Sequence, residues 1–220
     1  NLTYFEAELL LKRSDFALTD QGAKLAYANW HSHYCLICHE RGKDSCRHGL
    51  ADHKTDQIKN DDKGNLLLGC PLEEKISEMN FLYQNGDIAA ALAIAMVDNP
   101  LLPATGHRIC NDCMKACIYQ KQEPVNIPQI ESACFREIIN LPYGFELYFL
   151  LCRWNPLNLK RPLAKASSNY RILVVGQGPS GFNLAYHLLQ EGHQVVAIDG
   201  LKLEPSLTQY SGVNIFQQRS

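Results

Sequence analysis

The sequence predicts an α + α/β protein in which a mainly helical part precedes one strand–helix–strand unit. Apolar residues recur at helical spacing through the first 140 residues, whereas short apolar strands around a glycine-rich turn occur only after residue 170. Residues 155–169 contain two prolines and no acidic side chain, which is typical of a linker. We therefore expect a helical domain over residues 1–154, a linker over 155–169 and a partial α/β domain over 170–220.

Composition and charge fit a globular protein and disfavour two classes of partner. The 220 residues are 46% hydrophobic and 20% charged, and the net charge of −2 gives no field that would attract nucleic acid. The longest apolar run covers residues 88–97, about half of the roughly 20 residues that cross a bilayer as a helix. We expect no nucleic-acid partner and no membrane span.

The amino terminus and the cysteine content indicate the compartment. Asn1–Phe5 has neither the basic start nor the apolar core of a signal peptide, and it lacks an initiating methionine. Because cytosolic thiols are usually reduced, nine cysteines in such a chain indicate metal binding or catalysis before disulfides. We expect a cytoplasmic chain that is a piece of a longer enzyme.

Three helices are predicted between and after the cysteine groups. Pro71 suits a first helical turn and Gly86 a stop, so a helix is expected over residues 71–86. An alanine-rich helix follows over residues 87–99, and a third is expected over residues 128–142. These helices would form the frame that carries the cysteines.

The segment Arg171–Asp199 has the order of a Rossmann-like dinucleotide-binding unit: strand, G-x-G-x-x-G turn, helix, strand. In such a turn Gly176 permits the sharp bend, and Gly178 lets a pyrophosphate approach the backbone. Gly181 lets the helix pack on the strand. The alternative is a glycine turn in an unrelated α/β unit, but the flanking strands and the acid at the end favour a dinucleotide.

Three further residues complete the predicted nucleotide site. Pro179 and Ser180 open the helix, whose positive amino terminus attracts phosphate. Asp199 lies 18 residues after the last glycine and can accept hydrogen bonds from the adenosine ribose. Because an acid at this position disfavours a 2′-phosphate, the site suits FAD or NAD better than NADP.

Seven of the nine cysteines fall into groups that suit an inorganic site. The groups are Cys35, Cys38 and Cys46; Cys70 alone; and Cys110, Cys113 and Cys117, with Cys134 and Cys152 scattered. Zinc would need four compactly spaced ligands, which the histidines at positions 31, 33, 39 and 48 could complete near the first group. Iron–sulfur clusters accept ligands from distant segments, but seven thiolates are one short of two four-ligand sites. The spacing favours clusters over zinc and requires an eighth ligand.

The order of all these motifs resembles one family. The chain contains C-x2-C, GCPLEEKI, NGDIAAALAIAMVDNPLLPATGHRIC-x2-C-x3-C, PVNIPQIE and RILVVGQGPSG. This combination, from about Cys35 to Asp199, is similar to the iron–sulfur flavoprotein module of the glutamate synthase small (beta) subunit, which the amino-terminal part of dihydropyrimidine dehydrogenase shares. The resemblance implies an all-helical domain with two 4Fe-4S clusters, followed by an FAD-binding domain into which an NAD(P)H-binding domain is inserted later.

The resemblance also implies which residues hold the clusters. Site 1 would consist of Cys35, Cys38, Cys46 and Cys117, and site 2 of Cys70, Cys110, Cys113 and Glu131. Glu131 is the oxygen-bearing side chain that follows PVNI, and Cys134, one helical turn further on, is its nearest competitor. Cys152 is expected to be a buried or free thiol.

The chain departs from the family pattern C-x2-C-x4-C-x3-C-P. Seven residues separate Cys38 from Cys46, and 23 separate Cys46 from Cys70. Since each doubling of loop length adds only about 0.6 kcal/mol of closure entropy, we expect cluster binding to survive this insertion. The chain also has one βαβ unit instead of a complete sheet, and we expect residues 201–220 either to lie irregularly or to pair with further sequence.

The resemblance implies an NAD(P)H-dependent oxidoreductase that passes electrons through FAD and two clusters to a large subunit or a redox protein. Two other classes of protein remain. One is a zinc-stabilised interaction module with a degenerate nucleotide-binding fold. The other is a non-catalytic electron-transfer subunit that contains clusters but binds no FAD.

Overall fold

The described part of the chain is a group of packed helices followed by one strand–helix–strand unit. A computed structural model describes residues 22–159 and 165–200. The rest of the predicted ranges, including the expected behaviour of residues 201–220, lies outside the described residues. Among the described helices, none combines the length and the apolar composition needed to cross a bilayer.

The helical part contains a short 3-10 helix at Cys38–Arg41 between its first two α-helices. The α-helices are α1 (Leu25–Tyr34), α2 (Ser45–His48), α3 (Ile76–Gln84), α4 (Ile88–Asp98), α5 (Leu102–Ile109), α6 (Asp112–Lys115), α7 (Ile127–Ile139) and α8 (Gly144–Arg153). Within α5 the backbone is non-helical at Gly106, where φ is 47°, so this helix is kinked.

The hairpin of α3 and α4 forms one half of the core. Ala91 and Ala95 of α4 are fully buried, and their small side chains let the backbone approach α3 closely. On the facing helix Ile76, Met79 and Tyr83 recur at helical spacing and are about 1% exposed. The hairpin therefore presents one continuous apolar surface to the remaining helices.

Helix α7 forms the other half of the core and contacts α1, α4, α5 and α8. Ile127, Ile130, Cys134 and Ile138 lie three or four residues apart and are buried on one side of the helix. Glu131 is buried on this helix as well, at 8% exposure. The position of α7 therefore takes a carboxyl group into the interior beside the cysteine-bearing segments.

The helix predicted over residues 71–86 begins later, at Ile76. The backbone N–H groups of Leu72 and Glu74 donate to the Cys70 sulfur, and Glu73 adopts a left-handed φ of 52°. Because these N–H groups point back to the preceding Cys70 side chain, the backbone forms a turn around the sulfur before the helix starts. The expected helices over 87–99 and 128–142 occupy Ile88–Asp98 and Ile127–Ile139.

The insertion between Cys46 and Cys70 is closed at its base by the backbone. The N–H of Cys70 donates to the carbonyl of Cys46 at 2.8 Å. Gly49 and Gly69 meet there with φ values of 96° and 80°, and a Cβ at Gly69 would lie 2.7 Å from the Gly49 nitrogen. The 23 intervening residues thus leave these two cysteines side by side.

The start of the predicted linker packs against the helical part. Asn155 is 5% exposed, and its amide donates to the carbonyl of Ala93 at 2.6 Å. The amide of Asn158 donates to the carbonyl of Val97 at 3.5 Å. Both acceptors belong to α4, so Asn155 and Asn158 attach the start of the predicted linker to the helical part, whereas Leu159 is 92% exposed.

The α/β unit consists of β1 (Arg171–Val175), α9 (Pro179–Gln190) and β2 (Gln194–Ile198). The two strands pair in parallel, with Arg171 opposite Gln194 and Val175 opposite Ile198. Helix α9 packs on both strands, and it also contacts α5 of the helical part. The carboxyl ends of both strands therefore meet at one edge, where ligands of such sheets bind.

Candidate functional site

The four cysteines of site 1 line one internal cavity. Cys35 follows α1, and Cys38 begins the 3-10 helix. Cys46 lies in α2, and Cys117 follows α6. Ser77 and Asn80 of α3 also line it, together with Ser45 and Tyr119. The cavity leaves about 10 Å³ for the centre of a water molecule, which is room for about one water. An inorganic core would occupy it only if the side chains moved apart.

Burial makes three of the site 1 thiols harder to ionise. It raises the pKa of Cys35, Cys38 and Cys46, and the Asp44 carboxylate and the neighbouring thiols add to the rise at each of them. At Cys35 the Asn80 side chain and the Ile37 backbone N–H act against burial and lower the pKa. A metal cation that replaces the protons would stabilise the thiolates where water does not.

The four residues of site 2 come from four different places in the fold. Cys70 precedes α3, Cys110 follows α5, Cys113 lies in α6 and Glu131 lies in α7. Burial, followed by Glu131 and Cys70, raises the pKa of Cys113 well above its usual value. Burial also raises the pKa of Cys70 to about 11, and Glu131 contributes there. These mutual effects place the site 2 residues close together.

A second buried carboxyl group, Glu74, lies against Glu131. The two side chains share a hydrogen bond, and Glu74 also bonds with the Asn99 side chain. Burial raises the pKa of Glu74 to about 7, and burial followed by the Glu74 carboxyl raises the pKa of Glu131 well above its usual range. Two carboxyl groups so close cannot both ionise easily, so the pair holds a proton. Sequence reasoning missed Glu74, because an acid in a turn is ordinarily solvated.

The two sites are neighbours. Cys46 of site 1 contributes to the raised pKa of Cys113 in site 2, after burial and closer groups, and α2 contacts α6. Among the residues that the structure describes, no group of three or more His, Cys, Asp or Glu side chains is arranged to hold a single metal ion. A four-iron cluster is larger than one ion and holds its ligands further apart. The soft thiol donors and the hydrogen bonds to sulfur fit such a cluster.

The histidines near site 1 have other partners. His39 donates to the Ser77 hydroxyl from its backbone N–H, and its Nδ1 lies 2.8 Å from the same oxygen. Nδ1 of His31 accepts a hydrogen bond from the backbone N–H of Asn126 at 3.2 Å. None of the four histidines considered as zinc ligands lines the site 1 cavity.

The glycine turn lies at the open edge of the sheet. Gly176 has a φ of 92°, which only glycine adopts readily. A groove of about 550 Å³ is lined by residues 172–175 of β1 and by the turn residues Gly176, Gly178, Pro179, Ser180 and Gly181. The groove therefore contains every residue predicted for the nucleotide except Asp199.

Asp199, Gly178 and Gly181 play different structural parts in this turn. The Asp199 carboxylate, just after β2, accepts a hydrogen bond from the backbone N–H of Gln177. A Cβ at Gly181 would overlap the carbonyl oxygen of Gly176, whereas a Cβ at Gly178 would meet nothing within 4 Å. Gly181 is thus required by packing, and Gly178 borders open space that a ligand can approach.

Comparisons with known proteins give relatives without a described activity. No protein-family model matches the chain. Uncharacterized protein RP006 of Rickettsia prowazekii (strain Madrid E) is 65% identical over 105 residues, which are 48% of this chain and 15% of the relative. Uncharacterized protein RP005 of the same organism is 41% identical over 78 residues, 32% of this chain and 26% of the relative. The chain spans about a seventh and a quarter of the lengths of these two curated relatives.

Proposed function

We propose that the chain is the electron-input part of an NAD(P)H-dependent iron–sulfur flavoprotein oxidoreductase similar to the glutamate synthase small subunit. Site 1 and site 2 would each hold a 4Fe-4S cluster, and the glycine turn would hold FAD. The electron acceptor would be a large subunit or a separate redox protein. All nine cysteines lie in the described part of the chain and are free, which fits a reducing compartment, so we place the enzyme in the cytoplasm.

One observation carries the proposal: the eight side chains assigned as ligands lie in two adjacent groups although they come from distant segments. Four of them line one cavity. In site 2 the other three residues, Glu131, Cys70 and Cys110, each contribute to the raised pKa of Cys113. Buried thiols are costly to ionise in apolar surroundings, and iron would provide the positive charge that makes thiolates stable there.

Hydrogen bonds from the chain to sulfur also support cluster binding. The backbone N–H groups of Leu72 and Glu74 donate to the Cys70 sulfur, and the N–H of Ile37 donates to that of Cys35. Such donors orient ligand side chains and stabilise negative charge on sulfur. In both sites the backbone thus prepares at least one cysteine to act as a ligand.

At the glycine turn the chain would contribute placement and charge. Bound FAD would supply the exchange between two-electron and one-electron chemistry. The amino terminus of α9, beginning at Pro179, attracts phosphate, and the carboxylate of Asp199 can accept from a ribose hydroxyl. The open space at Gly178 leaves the backbone accessible to a pyrophosphate.

The proposal is tested by the composition of the full-length protein that contains this chain, purified without oxygen. We expect about eight iron and eight acid-labile sulfide per chain, two four-iron clusters, together with bound flavin. Zinc without sulfide would instead support an interaction module. Clusters without flavin or reduction by NAD(P)H would support a non-catalytic electron-transfer subunit.

A pair of glycine variants tests the nucleotide part separately. Gly178→Ala should leave the melting temperature unchanged and lower flavin affinity by about tenfold or more, because the new methyl group meets only the approaching pyrophosphate. Gly181→Ala should lower the melting temperature itself, since its Cβ overlaps the backbone of the turn. Equal flavin affinity in Gly178→Ala and the parent protein would remove the glycine turn from the proposed site.

A further inference from the structure

Asn80 is a fully buried polar side chain among thiols. It lies in α3, is 0% exposed, and lines the cavity that the four site 1 cysteines surround. Neither the nitrogen nor the oxygen of its amide has a hydrogen-bond partner of suitable distance and angle. An unpartnered buried amide is costly, and a helix interior would be better filled here by an apolar residue.

The other polar side chain that α3 turns towards the cavity is already satisfied. Ser77, one helical turn before Asn80, interacts with both the backbone N–H and the ring of His39. Asn80 has no partner of this kind, and the groups that line the cavity with it include the four cysteines of site 1, Cys35 among them. A buried polar group without a partner indicates a ligand, an ion or a redox role at that place. The unpartnered amide therefore borders the space that the sulfur ligands of site 1 surround.

We propose that Asn80 is a positioning residue of site 1, which donates its amide N–H to the sulfur of Cys35 and raises the reduction potential of the cluster held there. This inference rests on the proposed function and adds a residue that the ligand set does not contain. A hydrogen bond to a ligand sulfur favours the more negative, reduced state of a cluster. The nearby carboxylate of Asp44 acts in the opposite direction, but it accepts from the thiol of Cys46, at 3.6 Å, and not from that of Cys35.

The test measures potential, which a purely structural role would not change. In anaerobically purified full-length protein, Asn80→Leu should shift one of the two cluster potentials to a more negative value in a titration followed by electron paramagnetic resonance. At a fixed ambient potential we expect the ratio of reduced to oxidised cluster to fall about tenfold, equivalent to ~59 mV for a one-electron couple. Iron and sulfide content should stay as in the parent protein.

Two more variants make the result interpretable. Asn80→Ala removes the donor without adding volume and should shift the same potential in the same direction. Asn155→Leu removes another buried amide, which bonds to the carbonyl of Ala93 in α4, and should leave both potentials unchanged. A parent protein without clusters would overturn the proposed function and this inference together. Intact clusters with unshifted potentials, or loss of the cluster in both Asn80 variants, would overturn this inference alone and make Asn80 a packing residue.

Discussion

Site 1 and site 2 are both built mainly from cysteines but differ in the polar groups behind the sulfur atoms. Behind site 1 lie a neutral amide, Asn80, which can donate a hydrogen bond, and a single carboxylate, Asp44, which accepts from the Cys46 thiol at 3.6 Å. Behind site 2 lies a second carboxyl group, Glu74, hydrogen-bonded to the proposed ligand Glu131. A donor stabilises added negative charge, whereas carboxyl groups oppose it. We therefore expect the cluster of site 1 to have the higher reduction potential.

The two sites also differ in access to solvent. Three of the four cysteines of site 1 are buried, and the fourth, Cys35, is partly buried. In site 2 Cys110 is exposed, at the end of α5, and α5 contacts α9 of the α/β unit. Exposure of a ligand makes a cluster easier to oxidise and to lose. Site 2 should therefore be the more labile of the two.

The largest effect is expected from removing one buried cysteine from each site. Cys46→Ser and Cys113→Ser each take away a buried thiol ligand, so each should lose one cluster and about half of the iron. The two variants should lose different signals in electron paramagnetic resonance, which checks that the sites are separate. Cys152→Ser is the matched control, because Cys152 lies at neither site and its sulfur is 3.3 Å from the Pro100 carbonyl. Loss of both clusters in either cysteine variant would contradict the division into two sites.

A smaller and selective effect is expected from the carboxylate ligand. Glu131→Ala should lower the iron content of site 2, leaving the signal of site 1, because three cysteines would remain to hold the cluster. Cys134→Ala is the control: Cys134 is fully buried on the same helix one turn later and is the competing ligand. Iron loss in Cys134→Ala but not in Glu131→Ala would transfer the ligand role to the cysteine.

The sequence analysis grouped the cysteines of site 1 but did not find their surroundings. Cysteine spacing and family resemblance brought together the four cysteines that line the site 1 cavity, and their role as ligands stays a prediction. Glu74 and Asn80 could not be found in this way, since an acid in a turn and an amide in a helix are usually solvated. Their burial follows from the packing of α3 against α4 and α7, which depends on residues far away in the chain.

The same limit applies to backbone conformation. The helix expected from Pro71 starts at Ile76, because backbone N–H groups are used at the Cys70 sulfur. Likewise, the length of the insertion is visible in the sequence, but its closure by Gly49 and Gly69 is not. In the first case a nearby side chain, and in the second a contact between two distant glycines, decides a local structure that the residue pattern would otherwise set differently.

The smallest expected effect is the loss of stability that acid causes through His31, which lies beside the site 1 cavity. His31 is 1% exposed, and it accepts a hydrogen bond from the Asn126 N–H, between two residues that line the site 1 cavity. Burial, partly opposed by Glu123, lowers the pKa of His31 below 6.5. The unfolded chain therefore takes up this proton at a higher pH than the folded chain. The contribution of His31 to stability is complete above pH 6.5 and is lost as the pH falls through that value.

Thermal unfolding at pH 7.5 and pH 5 measures this contribution. The melting temperature of the parent protein should fall on acidification, and His31→Gln should reduce that fall, because glutamine can still accept the hydrogen bond but does not titrate. His33→Gln is the control, since His33 is exposed on the same helix and bonds only to the carbonyl of Asn29 in its own preceding turn. If acid destabilised all three proteins equally, the response would come from other groups that titrate between these pH values, and the proposed contribution of His31 would be wrong.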